Sequence, residues 1–307
     1  MQTAYVFTGQ GSQFAGMGKA LAEVFPVARE TFAEADAALG ESLSAMCFEG
    51  PEEALALTEN TQPATLAVSI AAFRCLGGTP AAAAGHSLGE YSALTAAGAF
   101  GFADAVRLVR ERARRMQRAV PAGAGGMVVL RKMDAAQARE VAAKVTRGVC
   151  DVANYNAPGQ VVLSGSAAAM DEVMEIVGPR GGMRLNVSVP FHSSLLRDAA
   201  AGFATVLRAT PMKAPAWPIW CNVDACPVRS VDEVRDALER QFAGSVRWQE
   251  SIERMLVEGG IRRFVEFGPK PTLAKMVTQI ASNLGIADVI AEAVTTPQDV
   301  ERLRAGT

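Results

Sequence analysis

Gly85-His86-Ser87-Leu88-Gly89 reads G-x-S-x-G, the spacing of a nucleophile elbow, in which a strand turns sharply into a helix with a serine at the tip. The two glycines leave room for backbone that must pass close by. The flanks fit the turn. Thr79-Pro80 opens an apolar run, Ala81 to Ala84, that supplies the strand. Glu90 to Ala97 can be helical and is stopped by Gly98. The strand is the weak element, because alanine has poor β propensity.

The wider composition narrows the setting. The chain has 307 residues, half of them apolar, enough for a large core and about two units. A net charge of −2 argues against nucleic acid as a partner. The start shows neither a charged n-region nor a cleavage-like site, and no apolar run reaches membrane-spanning length, which points to a cytoplasmic protein that does not bind membranes. Five cysteines without C-x-x-C pairing suit reduced thiols. With only two histidines, His86 and His192, no metal site is expected.

Outward from the elbow, Ala4 to Thr8 reads as a strand leading into the glycine-rich loop around Gln10. That loop lacks the spacing of a phosphate-binding motif and is better suited to present amides to a site. Thr61-Gln62-Pro63 is expected to start a helix, with Pro63 in its first turn and Leu66, Ile70 and Phe73 on its apolar face. In the helix Ala103 to Arg118, Ala105, Leu108, Val109, Ala113 and Met116 form one apolar stripe, and Arg112 falls in the middle of it. A charge on a buried face needs an anionic partner, either a core carboxylate or a ligand, unless its stem snorkels to water. The other arginines of this helix point mainly elsewhere. Pro121 to Gly126 reads as a linker, and the order after it, strand–helix–strand–strand–helix–strand up to Val187, is the ferredoxin-like pattern. The polar residues from Thr295 onward are expected to be mobile.

Ser87 needs a base. His86 is its neighbour, and at a sharp turn adjacent side chains diverge, so His86 reads as structural. His192 follows Pro190 in a distant strand-to-helix loop, where serine hydrolase-like sites place their histidine. The Leu88 N–H, at a helix start, can face an oxyanion, with a second donor from the Gln10 loop. Arg112 can hold a carboxylate on the acyl group through a two-bond fork.

These residues sit in longer motifs. Thr8-Gly9-Gln10-Gly11-Ser12-Gln13, Thr61-Gln62-Pro63-Ala64, Gly85 to Leu94, Arg112 with Met116-Gln117, Asn154 to Gln160, Val189-Pro190-Phe191-His192-Ser193 and Glu266-Phe267-Gly268-Pro269 resemble the malonyl-CoA:acyl-carrier-protein transacylase family over nearly the whole chain. The resemblance implies an α/β fold: an α/β-hydrolase-like large subdomain, residues 1–124 and 189–307, with an inserted ferredoxin-like small subdomain, residues 125–188. It implies Ser87 as acylated nucleophile, His192 as base and acid, Arg112 as holder of the malonyl carboxylate, Gln10 and Leu88 as oxyanion donors, and Gln62 lining the site. A main-chain carbonyl, that of Gln241, would orient His192. It further implies malonyl transfer from malonyl-CoA to the phosphopantetheine thiol of acyl carrier protein, in fatty acid or polyketide synthesis, by a monomer using no cofactor. The rival readings are a polyketide acyltransferase with another extender and a serine thioesterase or hydrolase. Outward arginines of the Arg112 helix, with Arg131, Lys132, Arg180 and Arg184, would offer an acidic carrier protein a docking patch. Gly244-Ser245 replaces a usual Asn-Pro, which is expected to shift the loop carrying Gln241.

Overall fold

The alanine run before the elbow lies in the middle of a parallel sheet. In the computed structural model, which describes residues 1–187 and 189–306, ten strands run in chain order as Thr3–Phe7 (β1), Ala82–Gly85 (β2), Gly125–Arg131 (β3), Cys150–Ala157 (β4), Gln160–Ser166 (β5), Gly182–Arg184 (β6), Ile219–Trp220 (β7), Pro227–Val228 (β8), Arg263–Phe267 (β9) and Ile290–Val294 (β10). Residues 188 and 307, which end two of the expected subdomain spans, lie outside the described residues. Six strands form one sheet in the order β10-β9-β1-β2-β7-β8, parallel except for β8. β2 is buried along its whole length between β1 and β7.

That position explains the alanines. Ala82 and Ala84 face a layer containing Trp220, Trp248 and Phe264, while Ala83 faces the helical layer on the opposite side. A central parallel strand is covered on both faces, and small side chains here let large ones close over it; packing overrides intrinsic propensity.

The remaining four strands form an antiparallel sheet, β4-β5-β3-β6, with helices Ala135–Lys144 and Ala167–Gly181 in the crossovers. This is the ferredoxin-like order expected from the sequence. Asp134 caps its helix in a capping box with Gln137. The expected linker, however, is shorter: Gly125 and Gly126 belong to β3, and a Cβ on Gly125 would lie 2.6 Å from the Pro190 ring.

Other expectations need correction. The Pro63 helix begins earlier, at Thr58, because the Leu57 carbonyl accepts from both Asn60 and Thr61 N–H and closes a turn ahead of the proline. It runs to Leu76 and is buried nearly all round. Residues 296–305 are ordered: Thr296 and Asp299 form a capping box, Pro297 opens a helix to Ala305, and Val300 and Leu303 are buried.

Candidate active site

The elbow forms as its spacing requires. Ser87, between β2 and the helix Leu88–Ala96, has φ 53° and ψ −104°, a strained conformation for a residue with a side chain. A Cβ on Gly89 would lie 2.0 Å from the Phe7 carbonyl oxygen, and one on Gly85 1.9 Å from Gly89 backbone. The helix therefore seats directly on the strand ends, where its first N–H groups face the cavity. Among the described residues the Leu88 N–H has no acceptor.

His192 comes from the loop between the two sheets' strands and meets Ser87, Nε2 to Oγ, at 2.7 Å. Its Nδ1 faces two carbonyl oxygens, Gly244 at 2.9 Å and Gln241 at 3.2 Å. Carbonyls only accept, so Nδ1 carries the ring proton, Nε2 is bare, and Ser87 O–H donates to it. The carbonyl expected from Gln241 is thus shared, and the nearer one belongs to Gly244. Burial above all, then the Arg112 charge and His86, push the His192 pKa down to about 3, so the ring is neutral at pH 7.

Arg112 is 1% exposed and extends to the same point. Its Nη1 donates to Gln62 Oε1 at 2.8 Å, and its Nη2 to Gln241 Oε1 at 2.9 Å and Ser87 Oγ at 3.2 Å. The guanidinium lies 5.1 Å from the centroid of the Tyr91 ring. Its partners are amides, a hydroxyl and an aromatic face. Among the described residues no carboxylate bonds it directly.

A cavity of about 670 Å³ opens over these groups, with Gln10, Gln62, Ser87, Leu88, Arg112 and His192 in its walls. Gln10 lies there, but its side-chain amide donates to Thr58 Oγ1 at 3.4 Å. The four-stranded unit closes the opposite wall with Met127, Asn154, Asn156 and Val162. His86 is held away from Ser87, its Nε2 donating to Asn156 Oδ1 at 2.8 Å, and burial lowers its pKa.

Three residues escaped the sequence reading. Asn222 Oδ1 accepts from Ser87 N–H at 2.7 Å, and its Nδ2 donates to the Gly85 carbonyl at 2.7 Å. Glu90 accepts from Gln241 and from the Asn222 backbone. Asn156 positions His86. Glu90 had a signal, a carboxylate one helical turn after the serine on a buried helix; Asn222 had none, because its hairpin meets the elbow only in three dimensions. Within the expected basic patch, Arg107 pairs with Asp104, Arg114 with Glu59, Arg115 with Glu111 and Arg184 with Asp171. Arg110 is buried against Glu41 and Asn60, not turned outward.

Residues 4–300 match the model of the acyl transferase domain family. The malonyl CoA-acyl carrier protein transacylase of Bacillus subtilis (strain 168) is 42% identical over 306 residues, covering 97% of this chain and 95% of that protein. The protein of the same name from Escherichia coli (strain K12) is 42% identical over 291 residues, covering 92% and 94%. A solved complex of the malonyl-transacylase PlMCAT with its type II PKS acyl-carrier protein AntF superposes with a TM-score of 0.94 at 38% identity, covering all of both chains. No helix among the described residues is long and apolar enough to cross a membrane. With the elbow, the histidine and the buried arginine in one cavity, and this similarity over nearly its full length, the chain belongs to the malonyl CoA-acyl carrier protein transacylase family.

Proposed function

We infer that the chain moves a malonyl group from malonyl-CoA to the phosphopantetheine thiol of an acyl carrier protein through a malonyl ester on Ser87. The observation that carries this reading is Arg112: a buried guanidinium beside the nucleophile, bonded only to neutral groups. A dicarboxylic acyl group supplies the missing anion.

The reaction runs in two halves. Ser87 Oγ attacks the thioester carbonyl while His192 Nε2 takes its proton. The oxyanion is met by the Leu88 N–H and by the backbone N–H of Gln10, since the Gln10 side chain is turned to Thr58. On collapse, the carbon–sulfur bond breaks and His192 returns the proton to the departing CoA thiolate. The carrier-protein thiol then attacks the ester, giving its proton to His192, which passes it to Ser87 Oγ. Through both halves Arg112 holds the malonyl carboxylate, with Gln62 and Gln241 fixing the plane of its guanidinium.

Intact-mass spectrometry tests the sequence of events. Malonyl-CoA should add one malonyl group to the protein, and holo acyl carrier protein should remove it; Ser87→Ala should stay unlabelled. Rapid CoA release without carrier protein would instead identify a hydrolase. Arg112→Ala should lose malonyl loading by about a hundredfold more than acetyl loading, the scale of one charge-assisted fork. Equal losses would remove the carboxylate role.

A further inference from the structure

Both peptide groups of Ser87 are held by side chains that converge on one buried carboxylate. Asn222 Oδ1 takes the Ser87 N–H, and Gln241 Nε2 donates to the Ser87 carbonyl at 2.8 Å. The same Gln241 Nε2 donates to Glu90 Oε2 at 2.9 Å, which also accepts from the Asn222 N–H at 3.0 Å. The other end of that amide, Gln241 Oε1, accepts from Arg112. Gln241 therefore spans an anion and a cation, its nitrogen toward Glu90 and its oxygen toward Arg112. Glu90 and Arg112 are each 1% exposed, so this pair is shielded from water.

We propose that Glu90 is a positioning residue that acts as the resident counter-charge of Arg112, and so sets how strongly the site prefers a carboxylate-bearing acyl group over a plain one. The proposal rests on the role given to Arg112 above. An ion pair mediated by an amide offsets the guanidinium charge in the empty site while leaving the guanidinium without a direct anionic partner. Loading a malonyl group brings a second carboxylate to the same cation. The site then has two anions for one cation, and the protonated form of Glu90 becomes the favoured one.

The surroundings make this exchange of a proton accessible. Burial raises the Glu90 pKa to about 7, against the bonds from Gln241 and Asn222 and the attraction of Arg112, with Asp224 adding to the rise. The other groups around this network titrate far from neutrality. Cys221 on the adjoining hairpin is pushed up to about 12, Tyr91 is also raised, and His192 lies near 3. Charged Glu90 weakens the hold of Arg112 on substrate, and protonated Glu90 restores it. The preference for malonyl over acetyl is then highest below the Glu90 pKa and falls as pH rises through it.

The test is the ratio of Ser87 acylation rates by malonyl-CoA and acetyl-CoA, read by rapid quench and intact mass from about pH 5.5 to 8.5, in the wild type, Glu90→Gln and Arg112→Ala. The ratio cancels His192 and the CoA phosphates, which both substrates share. In the wild type it should fall by about threefold or more across that range. Glu90→Gln keeps an acceptor for both donors and removes the charge, so its ratio should be flat and sit at the wild type's acid limit. A flat wild-type ratio, or a Glu90→Gln ratio equal to the wild type's at alkaline pH, overturns the proposal. If Glu90→Gln does not fold, the wild-type profile alone decides. Arg112→Ala separates the two ideas: a collapsed ratio there beside a flat wild-type profile rejects only the role of Glu90, whereas an unchanged ratio rejects the role of Arg112 and this proposal with it.

Discussion

His192 is neutral because it is buried beside a cation, and this has a measurable sign. Its pKa is depressed, so it remains an available base well below the ordinary histidine range. The acid limb of acetyl loading should therefore lie below about pH 5, and a limb near 6.5 would contradict the environment described here. Asn222 fixes the serine from behind through two backbone bonds. Asn222→Ala should slow acylation by tenfold or more, about the loss of one to two buried hydrogen bonds, with the extent read as the rate of adduct formation. At this scale the sequence was informative where a residue broke a local rule. Arg112 interrupts an apolar stripe, and His192 is one of two histidines. Asn222 breaks no rule in its own segment, and its role arises only from a hairpin 135 residues away from the elbow.

The elbow works as an element because small residues let a helix touch strand ends. Gly89→Ala would place a methyl carbon 2.0 Å from the Phe7 carbonyl oxygen, a distance that only movement of backbone can relieve. It should destabilise the fold by about 3 kcal/mol or more, measured by denaturant unfolding, and lower activity in proportion to the misplaced Ser87. Elements with strong periodicity or capping signals were legible, including the Arg112 helix, the helix after Asp134 and the order of the four-stranded unit. β7 lies inside the stretch Trp217 to Cys221, whose alternation reads as a strand, whereas β8, two residues long, carries too little pattern to announce itself. The closing helix was hidden because its polar face dominates; its signal was the Thr296–Asp299 capping box that spans Pro297.

At the scale of the molecule, the loop that orients His192 is shared by the two sheets. Val246 N–H donates to the Ala153 carbonyl at 2.8 Å, Tyr155 N–H donates to the Val246 carbonyl at 2.9 Å, and Ser245 Oγ donates to the Val152 carbonyl at 2.6 Å. The loop thus extends the edge of β4, and the Gly244-Ser245 departure from the usual Asn-Pro keeps a carbonyl on His192 Nδ1. Ser245→Ala removes one of these ties. It should lower kcat several-fold while leaving KM for malonyl-CoA nearly unchanged, a split seen in steady-state transfer assays.

The choice of carbonyls as partners for His192 bears on which acceptor the ester will take. A carboxylate in that place would stabilise the imidazolium and strengthen the base; a carbonyl does so far less. The first half-reaction has other help, because Arg112 Nη2 lies 3.2 Å from Ser87 Oγ and favours negative charge there. In the proposed second half, with Arg112 holding the malonyl carboxylate as in the first, the nucleophile is the incoming thiol and not Ser87 Oγ, and His192 is the one base proposed for it. A thiol near pKa 8.5 yields its proton to so weak a base far more readily than water near 15.7, by about seven orders of magnitude in acidity. Weakness in the base is in this way a filter: it allows passage from sulfur to sulfur and leaves the waiting ester resistant to the solvent that surrounds it.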